Sequence, residues 1–513
     1  MTHWHRKPAL LLVLALATLG LLQHNAQAQD TAQNTLVLAR AADATGLDPH
    51  TQTAFASFRL LELIYEPLVT LDADLNIIPA LAESWSFSDG AQTLTMQLRQ
   101  GVTFHDGTPF DSQDVKASFE RILDEATGAA ARANFTSITA IDTPDAHTVV
   151  FHLSVADVPI LEAMASTNAA IVSAEFIASG GDFSREAIGT GPFKLDSWQP
   201  GVATRLSANQ DWWGEGPYVD GIDMRIIPDE ASIVAAMRTG QVDFALLNDP
   251  VIATLLIGDP RVTLNQVPAL AYHVLQLNAT HPPLDKLAVR QAMSCAIDRQ
   301  QVLDTAALGY GEVTGPLTIP AYQIPTSELF CYHKDLDKAR ALLKQAGLED
   351  GFQIEVIAAS AEPPTALSEA QNIQAQLAEI GIDLEITSLE LGVYVDRWLA
   401  ADFDAAVALN GGRPDPYTMY SRYWTKDGNL QKVAGYIDDT LDELMKRGRA
   451  ETDPQKRLEI FTAFQKHLTE VSPWIWLYHD YEYTAQQPYV SGFIPMPTDS
   501  LYWLSQVKLD GKP

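Results

Sequence analysis

Cysteine is scarce in this sequence, and long apolar runs are missing after its first residues. Only Cys295 and Cys331 occur in 513 residues, which excludes a disulfide-rich scaffold and a cysteine-built metal centre. The longest uncharged apolar run, Ala9–Leu22, has 14 residues. A helix needs about 20 such residues to span a bilayer. The sequence therefore predicts a globular protein without a transmembrane helix.

Motifs of common enzymes are also missing. There is no H-E-x-x-H, G-x-S-x-G, Walker A or C-x-x-C pattern. An S-x-x-K pattern at Ser505–Lys508 has no companion motifs, and Asp438-Asp439 is typical of a helix start. The histidines of the second half are dispersed: His273, His281, His333, His467 and His479. We predict no catalytic residue, no protein-held metal and no cofactor, with a periplasmic hydrolase as the alternative from another class.

Positive charge is in short supply. The chain has 34 Lys and Arg residues against 65 Asp and Glu residues, a net charge of −31. The first 28 residues contain only Arg6 and Lys7 among charged residues, so their removal gives 32 − 65 = −33. Such a surface disfavours nucleic acid and anionic membranes as partners.

The amino terminus has the three parts of a secretory signal peptide. Basic residues Arg6 and Lys7 precede the apolar run Ala9–Leu22, and Ala26–Ala28 forms an A-x-A cleavage site. No cysteine near this site allows lipid attachment. We therefore predict residues 1–28 as a signal peptide and a free periplasmic protein after cleavage near Ala28.

The mature chain of about 485 residues exceeds a single core, so two or three lobes are expected. In an oxidising compartment Cys295 and Cys331 can form a disulfide, and two unpaired thiols remain the alternative. Cys295 falls off the apolar stripe of its predicted helix, a position from which it can reach a partner. That stripe consists of Val289, Ala292, Met293 and Ala296.

Hydrophobic periodicity predicts an α/β fold. In the first half it indicates a strand at Thr35–Arg40, a helix at Phe58–Leu68, a hairpin at Trp85–Leu98 and a helix at Asp111–Leu123. In the second half a helix capped by Asp335 and ended by Gly347 precedes two βαβ units with parallel strands. Their elements are predicted at Phe352–Val356, Ala366–Ile380, Ile382–Ile386, Val393–Ala400 and Phe403–Leu409.

A glycine-rich loop, Asn410–Pro416, follows the last of these strands. Ligands of open α/β sheets bind beyond the carboxyl ends of strands. Asp415 and Pro416 fit the N-cap and first residue of a helix over Tyr417–Trp424. Arg413 beside a helix amino terminus suits an anionic group, and a turn with a solvated arginine remains equally open.

Several segments resemble the extracytoplasmic solute-binding proteins of family 5, which serve dipeptide, oligopeptide and nickel ABC importers. Pro79–Leu123 matches the A-E-S-W, S-D-G, L-R-x-G-V-x-F-H-D-G and D-V elements of that family in order. Further matches follow in family order at Gly189–Phe193, Asn209–Trp213, Asn278, Val289–Leu303 and Ala339–Gly347. The resemblance implies a monomeric periplasmic protein that captures a small ligand for the ABC permease subunits of the inner membrane.

The same resemblance implies a two-lobed periplasmic binding protein fold with three domains and mixed sheets. Lobe 1 would combine domain I (residues 29–63, 190–268 and 482–513) with an inserted domain II (64–189). Lobe 2 would be domain III (269–481). The crossovers near Val267–Ala269 and Tyr481 would act as hinges between the lobes.

One departure from the family concerns the ligand. In peptide-binding members an aspartate three residues before the Asp-Pro aspartate anchors the α-amino group, and here that position is Gly412, followed by Arg413. We therefore expect a ligand that presents a negative group: peptide-like, opine-like or otherwise derived from amino acids. A metal-chelate, nickel-type or glycoside ligand is the alternative. The predicted ligand-binding residues are Arg413, Asp415, Tyr417, Trp398, Gln276, His273 and Asn410, with Tyr420 and Trp424 as further aromatic candidates.

Overall fold

The computed structural model describes residues 34–360, 363 and 365–513. The predicted signal peptide, residues 1–28, lies outside the described residues.

The described chain is a mixture of helices and strands. The strands are β1 (Thr35–Arg40), β2 (Val69–Leu71), β3 (Ile77–Pro79), β4 (Ala82–Ser88), β5 (Thr93–Leu98), β6 (Ile138–Asp145), β7 (Thr148–Leu153), β8 (Phe193–Gln199), β9 (Ala203–Ala208), β10 (Gly221–Ile226), β11 (Phe244–Leu247), β12 (Thr263–Pro268), β13 (Tyr272–Leu277), β14 (Glu312–Val313), β15 (Phe352–Ala359), β16 (Ile382–Leu389), β17 (Ala405–Asn410), β18 (Trp474–His479), β19 (Tyr481–Gln486), β20 (Val490–Ser491) and β21 (Lys508–Leu509). The α-helices are α1 (Phe55–Leu61), α2 (Ser112–Leu123), α3 (Ile160–Met164), α4 (Ala174–Ala178), α5 (Glu230–Arg238), α6 (Pro250–Thr254), α7 (Leu287–Ala296), α8 (Arg299–Ala306), α9 (Leu336–Gln345), α10 (Ala366–Ala378), α11 (Leu391–Ala400), α12 (Pro416–Trp424), α13 (Gln431–Ala434), α14 (Asp439–Ala450) and α15 (Pro454–Val471).

Three large sheets organise these elements. A seven-stranded sheet has the order β12-β19-β11-β1-β10-β9-β8, and a four-stranded sheet has the order β4-β5-β7-β6. A six-stranded sheet has the order β14-β18-β13-β17-β15-β16. Parallel and antiparallel neighbours occur in both larger sheets, so the mixed α/β fold class is confirmed. The domain boundaries stay a prediction.

The structure contains the helices and strands that alternation and helix caps in the sequence predicted most clearly. β1 has the predicted bounds, and the predicted hairpin is the antiparallel pair β4–β5 with Trp85 opposite Met96. Asp111 begins α2 with a capping box to Asp114, which satisfies backbone donors at the helix start. Strands β15 and β16 are parallel with Phe352 opposite Ile382 and are joined through α10, as the βαβ pattern indicated.

The predicted helix at Phe58–Leu68 is confirmed only over Phe58–Leu61, since α1 ends at Leu61. A helix through Pro67 would lose a backbone donor and clash with the preceding turn. The chain instead turns, and the carbonyl oxygen of Ile64 accepts a hydrogen bond from the Gly191 amide at 2.9 Å. Both glycines of this segment are required here. A Cβ would lie 2.7 Å from the Ile64 oxygen at Gly191 and 2.0 Å from it at Gly189.

The Trp-Trp pair of the family pattern holds a buried acid. The carboxylate of Glu66 accepts hydrogen bonds from Trp212 Nε1 at 3.0 Å, Trp213 Nε1 at 2.9 Å and Thr190 Oγ1 at 2.7 Å. Burial raises the pKa of Glu66 to about 7, although these donors act in the opposite direction. The family residues at this point therefore stabilise the scaffold of lobe 1.

The two cysteines are joined by a disulfide. Cys295, off the predicted stripe, reaches Cys331 as expected, and it is 0% exposed in the core under the six-stranded sheet. Its stripe of neighbours on α7 is also buried, so the helix is covered on more than one side. Periodicity over ten residues did not reveal that second covered side.

Two adjacent crossovers connect the seven-stranded and six-stranded sheets. The chain passes from β12 to β13 and returns from β18 to β19, with Pro268 opposite Tyr481. The Ala269 amide donates to the Asp480 carbonyl at 2.8 Å, and His479 Nδ1 lies 2.8 Å from the Ala269 carbonyl oxygen. Every helix within the described residues is too short or too polar to cross a membrane.

Candidate functional site

The glycine-rich loop lies at the carboxyl end of β17 and leads into α12, as its sequence predicted. Asp415 Oδ1 accepts hydrogen bonds from the amides of Tyr417 at 2.8 Å and Thr418 at 3.3 Å. Asp415 Oδ2 lies 2.7 Å from Arg457 Nη1, and both side chains are 8% exposed. The carboxylate of Asp415 is thus engaged in capping the helix and pairing with Arg457.

Gly412 has no room for a side chain. A Cβ at this residue would lie 2.1 Å from the carbonyl oxygen of Leu270, the residue that follows the first crossover. The next residue, Arg413, has an exposed side chain. The loop therefore presents a guanidinium and no carboxylate of its own at this position.

Lobe 1 brings an acid to this loop. Glu162 on α3 is close enough to Asp415, Arg413 and Arg457 for their charges to act on its pKa. Burial and the Asp415 charge raise the pKa of Glu162 to about 7, while the two arginines and Thr418 lower it. Sequence reasoning missed Glu162, because a five-residue helix with no motif gives no signal of its partner.

An ion pair joins the segment before α3 to α14. Arg449 donates from Nε and Nη2 to the two carboxylate oxygens of Asp157, each at 3.0 Å. The Val158 amide donates to the Arg449 carbonyl at 3.0 Å, and the guanidinium lies 5.3 Å from the ring centroid of Tyr417. Tyr417, one of the predicted site residues, therefore lies beside this ion pair.

We expect Asp157→Asn to shift the ligand-free protein toward open conformations. The substitution keeps the shape and removes the charge of a partly exposed pair, whose contribution of about 1 kcal/mol changes the closed-to-open ratio about fivefold. Small-angle X-ray scattering measures this as a larger radius of gyration. Asp142→Asn, which removes the exposed partner of His152 in lobe 1, is the matched control. A scattering curve identical to that of the wild type would contradict the prediction.

The aromatic candidates divide into two groups. Tyr420 and Trp424 are 0% exposed and belong to the core between α12 and the six-stranded sheet, so they do not line an open pocket. Trp398 is half-buried and donates from Nε1 to Gln276 Oε1 at 2.6 Å. Gln276 is 0% exposed, and its Nε2 has no partner among the described atoms.

His273 and Gln276 point to opposite faces of β13, because side chains alternate along a strand. His273 Nδ1 lies 2.9 Å from Glu369 Oε1, and Nε2 lies 2.9 Å from Asp480 Oδ2. Burial lowers the pKa of His273, but the two carboxylates outweigh it and raise the pKa to about 10. The ring also stacks on Tyr478 at 4.2 Å. His273 thus forms a buried ion pair that reaches the second crossover.

Asn410 lies at the end of β17 opposite Tyr272 and is 5% exposed. Its side-chain nitrogen has no partner among the described atoms. The structure therefore brings Asn410, Arg413, Asp415 and Tyr417 together at one loop, and it holds His273 on the other face of the sheet.

A surface cavity of about 690 Å³ lies at the other end of the central strands β13 and β17, away from the glycine-rich loop. It is lined by residues that include Asn278, His281, Asp402 and Lys432. His281 Nδ1 pairs there with Asp404 at 3.0 Å. No group of three or more His, Cys, Asp or Glu side chains within the described ranges could hold a metal ion.

A family model, curated relatives and solved structures were compared with this chain. The family model described as bacterial extracellular solute-binding proteins, family 5 Middle, matches residues 76–431, more than half of the chain. Di/tripeptide-binding protein 1 of Pseudomonas aeruginosa (strain UCBPP-PA14) is 29% identical over 90% of this chain and 92% of its own length. Glutathione-binding protein GsiB of Salmonella paratyphi A is 28% identical over 94% of this chain and 96% of its own length. The solved structure of HbpA2 from Haemophilus parasuis superposes with a TM-score of 0.86 at 26% identity, covering 93% of this chain and all of that one.

Proposed function

This chain belongs to the bacterial extracellular solute-binding proteins of family 5, and we propose that it captures a peptide-like or otherwise amino-acid-derived solute between its two lobes. In this proposal the solute presents a negative group to Arg413, and the loaded protein delivers it to the permease subunits of an ABC importer. The protein acts as a periplasmic monomer and performs no catalysis, with the signal peptide cleaved near Ala28.

The exposed guanidinium of Arg413 at the contact between the lobes carries this proposal. Within the described residues Arg413 forms no ion pair at 4 Å or less, whereas Arg449 and Arg457 at the same contact are both paired. An exposed arginine between two lobes is suited to bind a carboxylate, since its planar donors match two carboxylate oxygens.

The relatives support a peptide-derived ligand. One is named for di- and tripeptides and the other for glutathione, and both ligand types carry free carboxylates. The remaining predicted residues, Trp398, Tyr417, Gln276 and Asn410, are proposed to shape the pocket around the carboxylate. Asp415 and His273 are proposed to hold the loop and the crossover in place.

Replacing Arg413 with alanine tests this proposal. We expect Arg413→Ala to weaken binding of glutathione or trialanine at least tenfold, because a hydrogen bond between charged groups contributes about 1.5–3 kcal/mol. Isothermal titration calorimetry on the mature protein measures the dissociation constants. Arg447→Ala, at an exposed position on α14 in the same lobe, is the matched control. Equal affinity of Arg413→Ala and wild type would remove Arg413 from the site.

A further inference from the structure

We propose that Leu75 and Met496 form a two-point apolar latch that stabilises the closed form of the chain whether or not a ligand is bound. This inference rests on the proposed function, in which two lobes close on a solute, and it adds the residues that set the balance between open and closed forms. Neither residue belongs to the glycine-rich loop Asn410–Pro416.

The latch depends on a core that covers one face of the six-stranded sheet. This core, which we call the α12 core, lies between that face and the helices α12, α14 and α15, and it includes Tyr272 of the sheet and Tyr420 of α12. Apart from Leu75 and Met496, its buried members among the described residues all lie within residues 270–476. Leu75 and Met496 therefore enter it from distant parts of the chain.

Leu75 reaches the α12 core from the turn between β2 and β3. The chain before this turn packs elsewhere, since Leu68 and Val69 are buried in the core of the four-stranded sheet. Leu75 is 5% exposed and has a left-handed φ of 63°. The turn is held by Asp72, whose carboxylate accepts the Asn76 amide at 2.9 Å. A turn anchored in one core thus inserts its leucine into another.

Met496 reaches the α12 core from the C-terminal segment, and it is 3% exposed. On either side of it, Phe493 and Leu501 pack in the core of the seven-stranded sheet. The Asp499 amide donates to the Met496 carbonyl at 2.9 Å, which closes a turn. Glu62, which follows α1, accepts the Leu501 amide at 2.6 Å. Met496 is thus a second side chain anchored in one core and buried in another.

A polar contact accompanies the first apolar one. Helix α3, which follows Asp157, packs against β2, the strand that leads to the Leu75 turn. Asp157 itself pairs with Arg449 on α14, one of the helices that cover the α12 core. Apolar side chains beside a partly exposed ion pair are typical of contacts between domains that can separate.

The apolar contacts favour the closed form because opening would return both side chains to water. Burial of a leucine or methionine side chain changes an equilibrium by about tenfold or more. The residues that cover Leu75 and Met496 belong to a different core from those that anchor them, so separation of the cores exposes them. Since the latch lies outside the glycine-rich loop, it acts equally on every ligand.

Leu75→Asn tests the first contact, because asparagine tolerates the left-handed turn and removes the apolar side chain. We expect the closed-to-open ratio of the ligand-free mature protein to fall about tenfold, which small-angle X-ray scattering records as a larger radius of gyration. Leu308→Asn is the matched control, since Leu308 has a similar φ of 55° but is 68% exposed. Leu75→Met should retain the scattering curve of the wild type.

Met496→Gln tests the second contact, because glutamine has nearly the same length and is polar. The closed-to-open ratio should again fall about tenfold, whereas Met496→Leu should retain the wild-type value. Thermal unfolding curves establish that each variant is folded.

Isothermal titration calorimetry with trialanine and glutathione distinguishes a latch from a wall of the ligand pocket. In Leu75→Asn and Met496→Gln the ratio of the two dissociation constants should equal that of the wild type, because the free energy of closing is common to both complexes.

Two results would overturn the inference and leave the proposed function intact. One is a scattering curve of Leu75→Asn and of Met496→Gln that is identical to that of the wild type. The other is a changed ratio of dissociation constants, which assigns the residue to the ligand pocket. Failure of the wild type to bind either peptide overturns the proposed ligand class, and the scattering comparison, which needs no ligand, still decides the latch.

Discussion

Reduction of the disulfide between Cys295 and Cys331 is expected to lower the free energy of unfolding of lobe 2 by about 4 kcal/mol. The bond closes a loop of 36 residues, and the chain-entropy model gives a stabilisation of that size for such a loop. The loop contains α8 and extends from the carboxyl end of α7 to the segment before α9. Its closure therefore limits the unfolded chain across a segment that contains α8 and β14.

The surroundings of the disulfide hold both cysteines in place. The Asp335 amide donates to the Cys295 carbonyl at 2.7 Å, and Arg299 Nη1 donates to the Cys331 carbonyl at 3.2 Å. Because these bonds remain after reduction, the native structure loses little enthalpy, and the effect falls on the unfolded state.

Urea unfolding with and without dithiothreitol measures this loss, followed by fluorescence of the buried tryptophans Trp424, Trp474 and Trp476 in lobe 2. The double variant Cys295→Ala/Cys331→Ala should have a similar midpoint in both conditions. An unchanged midpoint of the wild type after verified reduction would contradict the prediction.

Arg457→Met is expected to destabilise lobe 2 by about 3–5 kcal/mol, because it leaves the Asp415 carboxylate buried without its counter-charge. Arg457 also donates from Nε to the Gly448 carbonyl at 2.8 Å and from Nη1 to the Tyr322 hydroxyl at 2.7 Å. Burial lowers the pKa of Arg457, but Asp415 and Tyr322 outweigh it and raise the pKa above its usual range. The guanidinium is therefore the centre of the polar contacts under the binding loop.

A second substitution separates the cost of the unpaired charge from that of lost packing. In the double variant Arg457→Met/Asp415→Asn the buried charge is removed while the amide oxygen still caps α12, so part of the stability returns. Lys466→Met on the same helix breaks only the exposed pair with Glu328 and should cost less than about 1 kcal/mol. Urea unfolding measures the free energy of unfolding of each variant. Equal losses in Arg457→Met and Lys466→Met would contradict the prediction that the buried Arg457–Asp415 pair stabilises lobe 2.

The local sequence determined much of the fold. Asp111, Asp335 and Asp415 begin the helices that their cap positions predicted, since a side chain and the amides two or three residues later form one local unit. Alternation in β15 and β16 predicted a parallel pair, and the family pattern predicted the two-lobed class. Where the prediction failed, at Phe58–Leu68, a proline and a distant glycine loop decided the path of the chain.

The binding loop shows the limit of such reasoning. The sequence placed Asn410–Pro416 at the end of a strand and recognised Arg413 as a departure from the family. It predicted Asp415 as a helix cap and did not reveal its ion pair, because the partner Arg457 is 42 residues away on another helix. The core burial of Tyr420 and Trp424 likewise depends on the sheet beneath them.

What the sequence determined by itself is therefore the class of the molecule: an acidic solute-binding chain of family 5 with an α/β fold and an arginine where peptide-binding members have an acid. Only the tertiary structure paired Asp415 with Arg457 and brought Asp157 to Arg449 beside the binding loop. Hydrophobic periodicity and capping describe contacts within a few residues, whereas the charge of a binding site depends on side chains that meet only when two lobes come together.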